Sequence, residues 1–344
     1  MEPSHLDNLE AGTATVGILF NPLGGRIRKR EHSIRDELER IPRAICRRAS
    51  DAPAIREAID AFLVARVDVL LVVGGDGTVQ ATLSRLFEQR PAEEWPVLAI
   101  VPGGTTNMTA LDLGMHGKPE MVLRELRTRL SAQIPPRLMK RHILCIEQPG
   151  AGKIYGMFFG LGLIARAVIF SRGSIKRLGI TGEGYSALIT VGYFLGILLG
   201  RRKGAWAPAH LSIRHEQGEF LHETCPFLFA STLDRLLFGM RPYWGREAAP
   251  LHVTFVRQQC RRPLRALWRV LAGRGEILRE VEGYHSFNSA TLELLVDDDY
   301  IVDGESYRAS SAHGPLRVGA AGPATFLGID AGTPMPSSPV PPSP

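Results

Sequence analysis

The sequence predicts an α/β domain built on a doubly wound parallel sheet, followed by a second, largely antiparallel domain. Three short apolar segments early in the chain each end in a glycine-rich turn, and helical spacing of apolar residues follows the central one. Strands that alternate with helices in this way are typical of a parallel sheet. Beyond Pro135 and Pro136 the pattern changes to short alternating stretches separated by turns, which indicates antiparallel strands.

The central segment is Val67–Thr82. Its Val and Leu run at Val69–Val73 predicts a strand buried on both faces, and the turn GGDGT at 74–78 follows directly. Open α/β sheets bind ligands at the carboxyl ends of their strands, and glycines allow backbone N–H groups to approach a polyanion. Asp76 would repel a bare phosphate, so it indicates either a Mg²⁺ ion or a base that faces a hydroxyl. The alternative is that Asp76 only caps the following helix.

Two further strands end in similar turns. Val16–Phe20 runs into NPLGGR at 21–26, and Val97–Val101 runs into PGGTTN at 102–107. In a doubly wound sheet the carboxyl ends of these strands meet at one edge, so we expect the three turns to converge there. Three converging turns of this type favour a phosphate-binding site over a purely structural explanation.

The second domain is predicted from seven alternating stretches and two helices. The helices are Tyr185–Leu199 and Arg262–Leu271, and residues 1–14 and 330–344 are predicted to be disordered. The strands are Arg141–Glu147, Lys153–Phe159, Ala209–His215, Pro226–Ser231, Pro250–Val256, Ser289–Val296 and Ile301–Tyr307.

Composition and net charge favour some classes of partner and site and exclude others. The chain has 344 residues, enough for two domains, and its hydrophobic content of 44% is ordinary for a globular protein. A net charge of +6, with arginines clustered at several places including Arg257–Arg269, favours anionic phosphates or a lipid surface as partners; no nucleic-acid motif accompanies it. The four separated cysteines support neither a zinc site nor a disulfide framework. Gly184–Gly200 is uncharged, and we interpret it as a core or interfacial helix.

The turns resemble the motifs of a known family. NPLGG at 21–25, GGDGT at 74–78 and PGGTTNMTA at 102–110 resemble the diacylglycerol kinase catalytic domain, whose family includes bacterial lipid kinases and sphingosine kinases and is related to NAD kinases. GLGLIARAV at 160–168 and VDGE at 302–305 resemble later motifs of the same family. The order and spacing of the five motifs make the resemblance specific.

The resemblance implies a Rossmann-like ATP-binding domain at 15–138, completed by 314–328, and a β-sandwich lipid-substrate domain at 139–313. It implies that Asp76 binds Mg²⁺ and takes part in catalysis, and that Asp303 and Glu305 lie near the acceptor hydroxyl, with Asp303 as the candidate base. Asp-Gly is also a common hairpin turn, which is the structural alternative for Asp303. The residues implied to surround the nucleotide are Asn21, Gly74, Gly75, Gly77, Thr78, Gly104, Thr105 and Asn107.

The function implied is an ATP-dependent and Mg²⁺-dependent lipid kinase of phospholipid biosynthesis, acting on a lipid such as diacylglycerol. We expect a cytoplasmic protein that associates peripherally with the inner face of the membrane. We expect no nucleic-acid partner, and the sequence does not decide whether the protein forms a homodimer. Gln80 and Ala81 replace the family's Asn-Glu after GGDGT, and Met108 replaces an Asp. The alternatives are an NAD kinase-like enzyme and a catalytically weak lipid- or nucleotide-binding regulatory protein.

Overall fold

The computed structural model describes residues 4–131, 135, 137–178, 207–216, 218–236 and 239–329. The predicted helix Tyr185–Leu199, the apolar segment Gly184–Gly200 and the predicted disordered tail at 330–344 lie outside these residues. No helix within the described ranges is long and apolar enough to cross a membrane.

The first domain contains a parallel sheet of four strands in the order β2-β1-β3-β4. The strands are β1 Val16–Phe20, β2 Ala44–Arg48, β3 Val69–Gly74 and β4 Val97–Pro102. Strands β1, β3 and β4 are buried along their whole length, as their continuous apolar sequences predict. The arginine-rich β2 lies exposed at the sheet edge, and this position explains why its sequence gives no apolar signal.

The helices of the first domain connect these strands and pack on the sheet. Their apolar residues are spaced for one buried face, for example Ile55, Ile59 and Phe62 on the helix between β2 and β3. The helices are α1 His5–Glu10, α2 Glu31–Glu39, α3 Ala52–Val64, α4 Asp76–Gln89, α5 Met108–Asp112 and α6 Pro119–Leu130.

The remaining elements are mostly antiparallel strands. The strands are β5 Arg137–Glu147, β6 Ile154–Gly156, β7 Phe158–Gly162, β8 Ala209–His215, β9 Leu221–Cys225, β10 Phe227–Ser231, β11 Leu251–Val256, β12 Tyr284–Ser289, β13 Thr291–Val296, β14 Asp299–Val302, β15 Glu305–Arg308 and β16 Leu316–Gly328. Within the described ranges, two α-helices accompany them, α7 Leu163–Leu178 and α8 Pro263–Leu271. Helix α8 confirms the helix predicted at Arg262–Leu271.

The long strand β16 joins the two domains. Near its end it pairs in parallel with β4 at Phe326 and Leu98, and along its length it pairs antiparallel with β5 and β13. The parallel sheet therefore continues through β16 into a sheet of ten strands. A second sheet has six strands in the order β12-β11-β10-β7-β14-β15.

The antiparallel part is a sandwich, which confirms the predicted fold class. One cluster of buried residues contains Phe159 and Leu161 from the six-stranded sheet together with Leu292 and Leu294 from the ten-stranded sheet. Residues of one face recur at every second position, as expected for two sheets that pack face to face.

The disorder predicted for residues 1–14 is wrong for helix α1. Ser4 and Asp7 form a capping box, and Leu9 is completely buried. The buried Asp68 carboxylate accepts hydrogen bonds from Asn8 Nδ2 at 3.0 Å and from Thr15 N at 2.8 Å. A short polar helix is marginal in isolation, so its sequence signal is weak and tertiary contacts stabilise it.

Candidate active site

The three glycine turns converge at the carboxyl edge of the parallel sheet. Gly103 N donates to the Gly74 carbonyl at 2.8 Å, and Arg26 N donates to the Gly103 carbonyl at 3.1 Å. A Cβ atom on Gly104 would lie 2.6 Å from the Cα atom of Gly75, closer than real Cβ atoms approach. Glycine is therefore required for the backbones of two turns to touch.

Polar side chains hold these turns in shape. Asn21 Nδ2 donates to Thr78 Oγ1 at 2.9 Å, which joins the first turn to the second. The buried Asn107 accepts from Gly104 N and donates to Gly104 O, both at 2.7 Å, and its φ of 52° is left-handed. Thr105 is exposed at the rim of the same turn. These contacts bring together the residues predicted to surround a nucleotide.

Asp76 is the first residue of α4 and is half-buried. The helix cap is Gly75, and the backbone N–H groups of Thr109, Asn107 and Met108 lie close enough to the Asp76 carboxylate to lower its pKa. Burial raises the pKa of Asp76 to about 6, and the three N–H groups only partly oppose that rise. Capping of α4 is therefore not the role of this side chain.

Asp303 lies in the turn between β14 and β15, is buried, and has a left-handed φ of 48°. Its carboxylate accepts from Met157 N at 3.0 Å and from Phe158 N at 2.9 Å. Burial and, next in size, the negative charge of Asp76 hold the pKa of Asp303 well above its usual range. The carboxylate at the start of α4 thus lies close enough to Asp303 for its charge to act on it.

The β14–β15 turn also brings Glu305 and Tyr307 to α4. A Cβ atom built on Gly77 would lie 3.4 Å from Glu305 Oε1, so this carboxylate borders the central glycine turn. Gln80 Nε2 donates to Tyr307 Oη at 2.9 Å, and Ala81 packs against the core. The Gln80–Tyr307 bond was not predicted, because nothing local in either segment indicates the partner.

A buried ion-pair cluster fixes α5 to the second domain. Arg141 Nε donates to Asp112 Oδ2 at 2.8 Å, and Arg141 Nη2 lies 2.7 Å from Asp234 Oδ2. Asp112 Oδ1 accepts from Arg235 N at 2.8 Å. Burial raises the pKa of Asp112, and the Arg141 charge opposes that rise. Because α5 holds Asp76 at its other end, this cluster positions Asp76 relative to the sandwich; the sequence contained no signal for it.

The acidic groups suit a cation that is shared with a phosphate ligand. Within the described part of the chain, no group of three or more His, Cys, Asp or Glu side chains is placed to hold a metal ion alone. Mg²⁺ commonly binds through one or two carboxylates together with substrate phosphates and water. Asp76 and Asp303 would supply one or two such carboxylates, and a cation between them would offset the repulsion between their charges.

Comparisons with known proteins agree with this geometry. Residues 15–135 match the sequence model of the diacylglycerol kinase catalytic domain. No curated protein sequence matches the chain significantly.

Three similar solved structures come from Bacillus anthracis str. Sterne and are described as diacylglycerol kinases, two of them provisionally. The first is 17% identical, with a TM-score of 0.64 over 92% of this chain and 95% of that chain. The second is 16% identical, with a TM-score of 0.62 over 91% and 97%. The third is 15% identical, with a TM-score of 0.58 over 92% and 97%. The chain shares its fold with these structures, and its residues 15–135 are similar to the diacylglycerol kinase catalytic domain.

Proposed function

We propose that this protein is an ATP-dependent lipid kinase that transfers the γ-phosphoryl group to a hydroxyl of a lipid such as diacylglycerol. The observation that carries the proposal is that the β14–β15 turn, with Asp303 and Glu305, lies against the central glycine turn that contains Asp76. Phosphoryl transfer requires a held triphosphate on one side and a carboxylate facing the acceptor hydroxyl on the other.

The first domain supplies the nucleotide side. Gly74, Gly75 and Gly104 let the turns pack closely against Thr78 and against one another. Backbone N–H groups of separate turns are thereby gathered at one edge of the sheet, where they would bind phosphate groups. The carboxylate of Asp76 lies beside the backbone N–H groups at the start of α5, and it would present its negative charge to a cation. A bound Mg²⁺ would neutralise charge on the transferring phosphoryl group.

The second domain supplies the acceptor side. Asp303 is oriented by two backbone N–H groups and has a raised pKa, both of which suit a residue that accepts a proton from a hydroxyl. Glu305 lies two residues further along, against Gly77, where it would orient the acceptor or the cation.

A row of phenylalanines supports a lipid as the acceptor. The ring centroids of Phe227 and Phe229 are 6.4 Å apart, and those of Phe229 and Phe158 are 6.1 Å apart. Phe158 N donates directly to Asp303. Phe158 links the row to the candidate base through its backbone, and apolar side chains at this end of the six-stranded sheet suit an acceptor with a long apolar part.

A second candidate is a lipid- or nucleotide-binding protein with weak turnover. Ala81 packs against the core and Met108 is buried, so neither position provides a carboxylate to the site. These two positions favour that alternative specifically.

The test is an assay of the purified full chain with labelled ATP, Mg²⁺, a panel of lipids in detergent micelles and, separately, NAD. We expect a phosphorylated lipid, and its loss when EDTA removes Mg²⁺. Phosphorylated NAD would contradict the proposal. Saturable ATP and lipid binding without product would support the second candidate.

A further inference from the structure

Helix α8 exposes an apolar stripe on the connection between β11 and β12. Leu264, Trp268 and Leu271 are 56%, 71% and 46% exposed. Their spacing of four and then three residues places them on one face of the helix. An exposed tryptophan flanked by two exposed leucines forms a contiguous apolar patch, and such patches mark sites of interaction with a partner or a membrane.

Another face of the same helix holds it to the protein. Ala266 is buried, and Val270 packs against a small cluster that contains Val256, Leu278 and Tyr284. Helix α8 is thus anchored through one side while its second apolar side has no cover within the described residues.

Positive charge lies beside the stripe. Arg261, Arg262, Arg265 and Arg269 line one shallow depression, together with Glu282. The segment 261–282 contains six arginines and three glutamates, Glu276, Glu280 and Glu282, so its net charge is positive. Nearby, Arg257 pairs with Glu223, and the ring of His285 lies 4.0 Å from Glu280.

We propose that α8 docks this protein on the surface of an anionic lipid bilayer, with Leu264, Trp268 and Leu271 entering the headgroup boundary and the arginines binding lipid phosphates. Interfacial helices combine an apolar face with flanking basic residues, and tryptophan prefers that boundary. Nine residues span only about 13 Å, too short to cross a bilayer. Guanidinium groups bind phosphate in a bidentate manner, which matches the arginine-lined depression.

The inference rests on the proposed function only in that both involve a lipid, because α8 and the candidate base lie at different ends of the second sheet. Strand pairing places the β11–β12 connection at the end of the six-stranded sheet opposite to Asp303. Strands of five residues separate the two ends by roughly 17 Å. Phe227 contacts the cluster beneath α8 and begins the aromatic row that leads to Asp303.

The test measures cosedimentation of the full chain with vesicles in the absence of ATP. Vesicles of phosphatidylcholine alone are compared with equimolar phosphatidylcholine and phosphatidylglycerol. We expect preferential binding to the anionic vesicles. Trp268→Ser should weaken that binding roughly tenfold, and Arg265→Gln roughly fivefold. Val64→Ser, at an 84% exposed position on α3, and Arg47→Gln, on the exposed strand β2, are matched controls that should bind like the wild type.

Equal binding to both vesicle types, or unchanged binding of the Trp268 and Arg265 variants, would overturn the inference. So would a change in oligomeric state of Trp268→Ser in gel filtration without a change in vesicle binding, because a second copy would then cover the stripe. Turnover on lipids in detergent micelles separates the two proposals. Vesicle binding without turnover contradicts only the proposed function, whereas turnover without vesicle binding contradicts only the role of α8.

Discussion

The GGDGT turn after β3 and the β14–β15 turn each carry an aspartate of the candidate site, and the two aspartates differ in burial. Each places an aspartate just after a strand. The Asp303 carboxylate accepts hydrogen bonds from the backbone N–H groups of β6–β7, whereas the backbone N–H groups at the start of α5 lie near Asp76 and lower its pKa. Asp76 is half-buried with a pKa of about 6, whereas Asp303 is buried, left-handed and raised further by the charge of Asp76. In the proposed function the same residue type takes two roles, a cation ligand at the first turn and a proton acceptor at the second, and the difference in burial suits that division.

The largest expected effect is on turnover, at the second turn. Asp303→Asn keeps the shape of the side chain, and asparagine tolerates the left-handed backbone at this position. Because the substitution removes the base, activity should fall about 10²- to 10⁴-fold in the lipid kinase assay. Asp36→Asn, on the exposed side of α2, is the matched control. Turnover of Asp303→Asn close to that of the wild type would show that this turn has only a structural role.

The next effect is the pH dependence of stability caused by the first turn. A raised native pKa means that between about pH 3.8 and 6 the native state binds more protons at Asp76 than the unfolded chain. The free energy of unfolding should therefore fall as pH rises through that window, by on the order of 3 kcal/mol for a shift of about two units. Denaturant unfolding of the wild type and of Asp76→Asn, both without Mg²⁺, measures the difference. Parallel pH profiles for the two proteins would contradict the burial of this carboxylate.

The close contact between glycine turns should matter for both stability and nucleotide binding. Gly104→Ala would force its Cβ atom against the backbone of Gly75, at a cost of about 1–3 kcal/mol, and should weaken ATP binding. Gly152→Ala is the matched control, because a Cβ atom there meets nothing within 4 Å. Thermal unfolding and ATP titration give the two readouts. Equal ATP affinity in both variants would mean that the turns do not shape the nucleotide site.

The smallest effect concerns the hydrogen bond between Gln80 on α4 and Tyr307 on β15. Gln80→Leu and Tyr307→Phe each remove one partner of a single hydrogen bond. A double-mutant cycle on the free energy of unfolding should give a coupling of about 1 kcal/mol. Additive single effects would indicate that α4 and β15 are held together by other contacts.

Local sequence signals predicted the first turn well and the second poorly. The apolar strands and glycine turns of the first domain can be recognised from a few consecutive residues. Helix α8 was predicted from the spacing of its apolar residues. Residues 302–305 looked like an ordinary hairpin turn, and only their resemblance to a family motif singled them out. Helix α1 was missed because its stability comes from Leu9 and Asp68 rather than from its own composition.

The sequence by itself determined the parallel sheet, the antiparallel character of the second domain and the order of the motifs, because strand burial and turn chemistry are local properties of the chain. Only the tertiary structure decided which groups meet at the site. Asp303 takes its N–H donor from Met157, 146 residues away, and Gln80 finds Tyr307 across 227 residues. Such pairings depend on strand register and on how the two sheets pack, and an alternating apolar pattern specifies which face is buried without specifying which residue lies opposite.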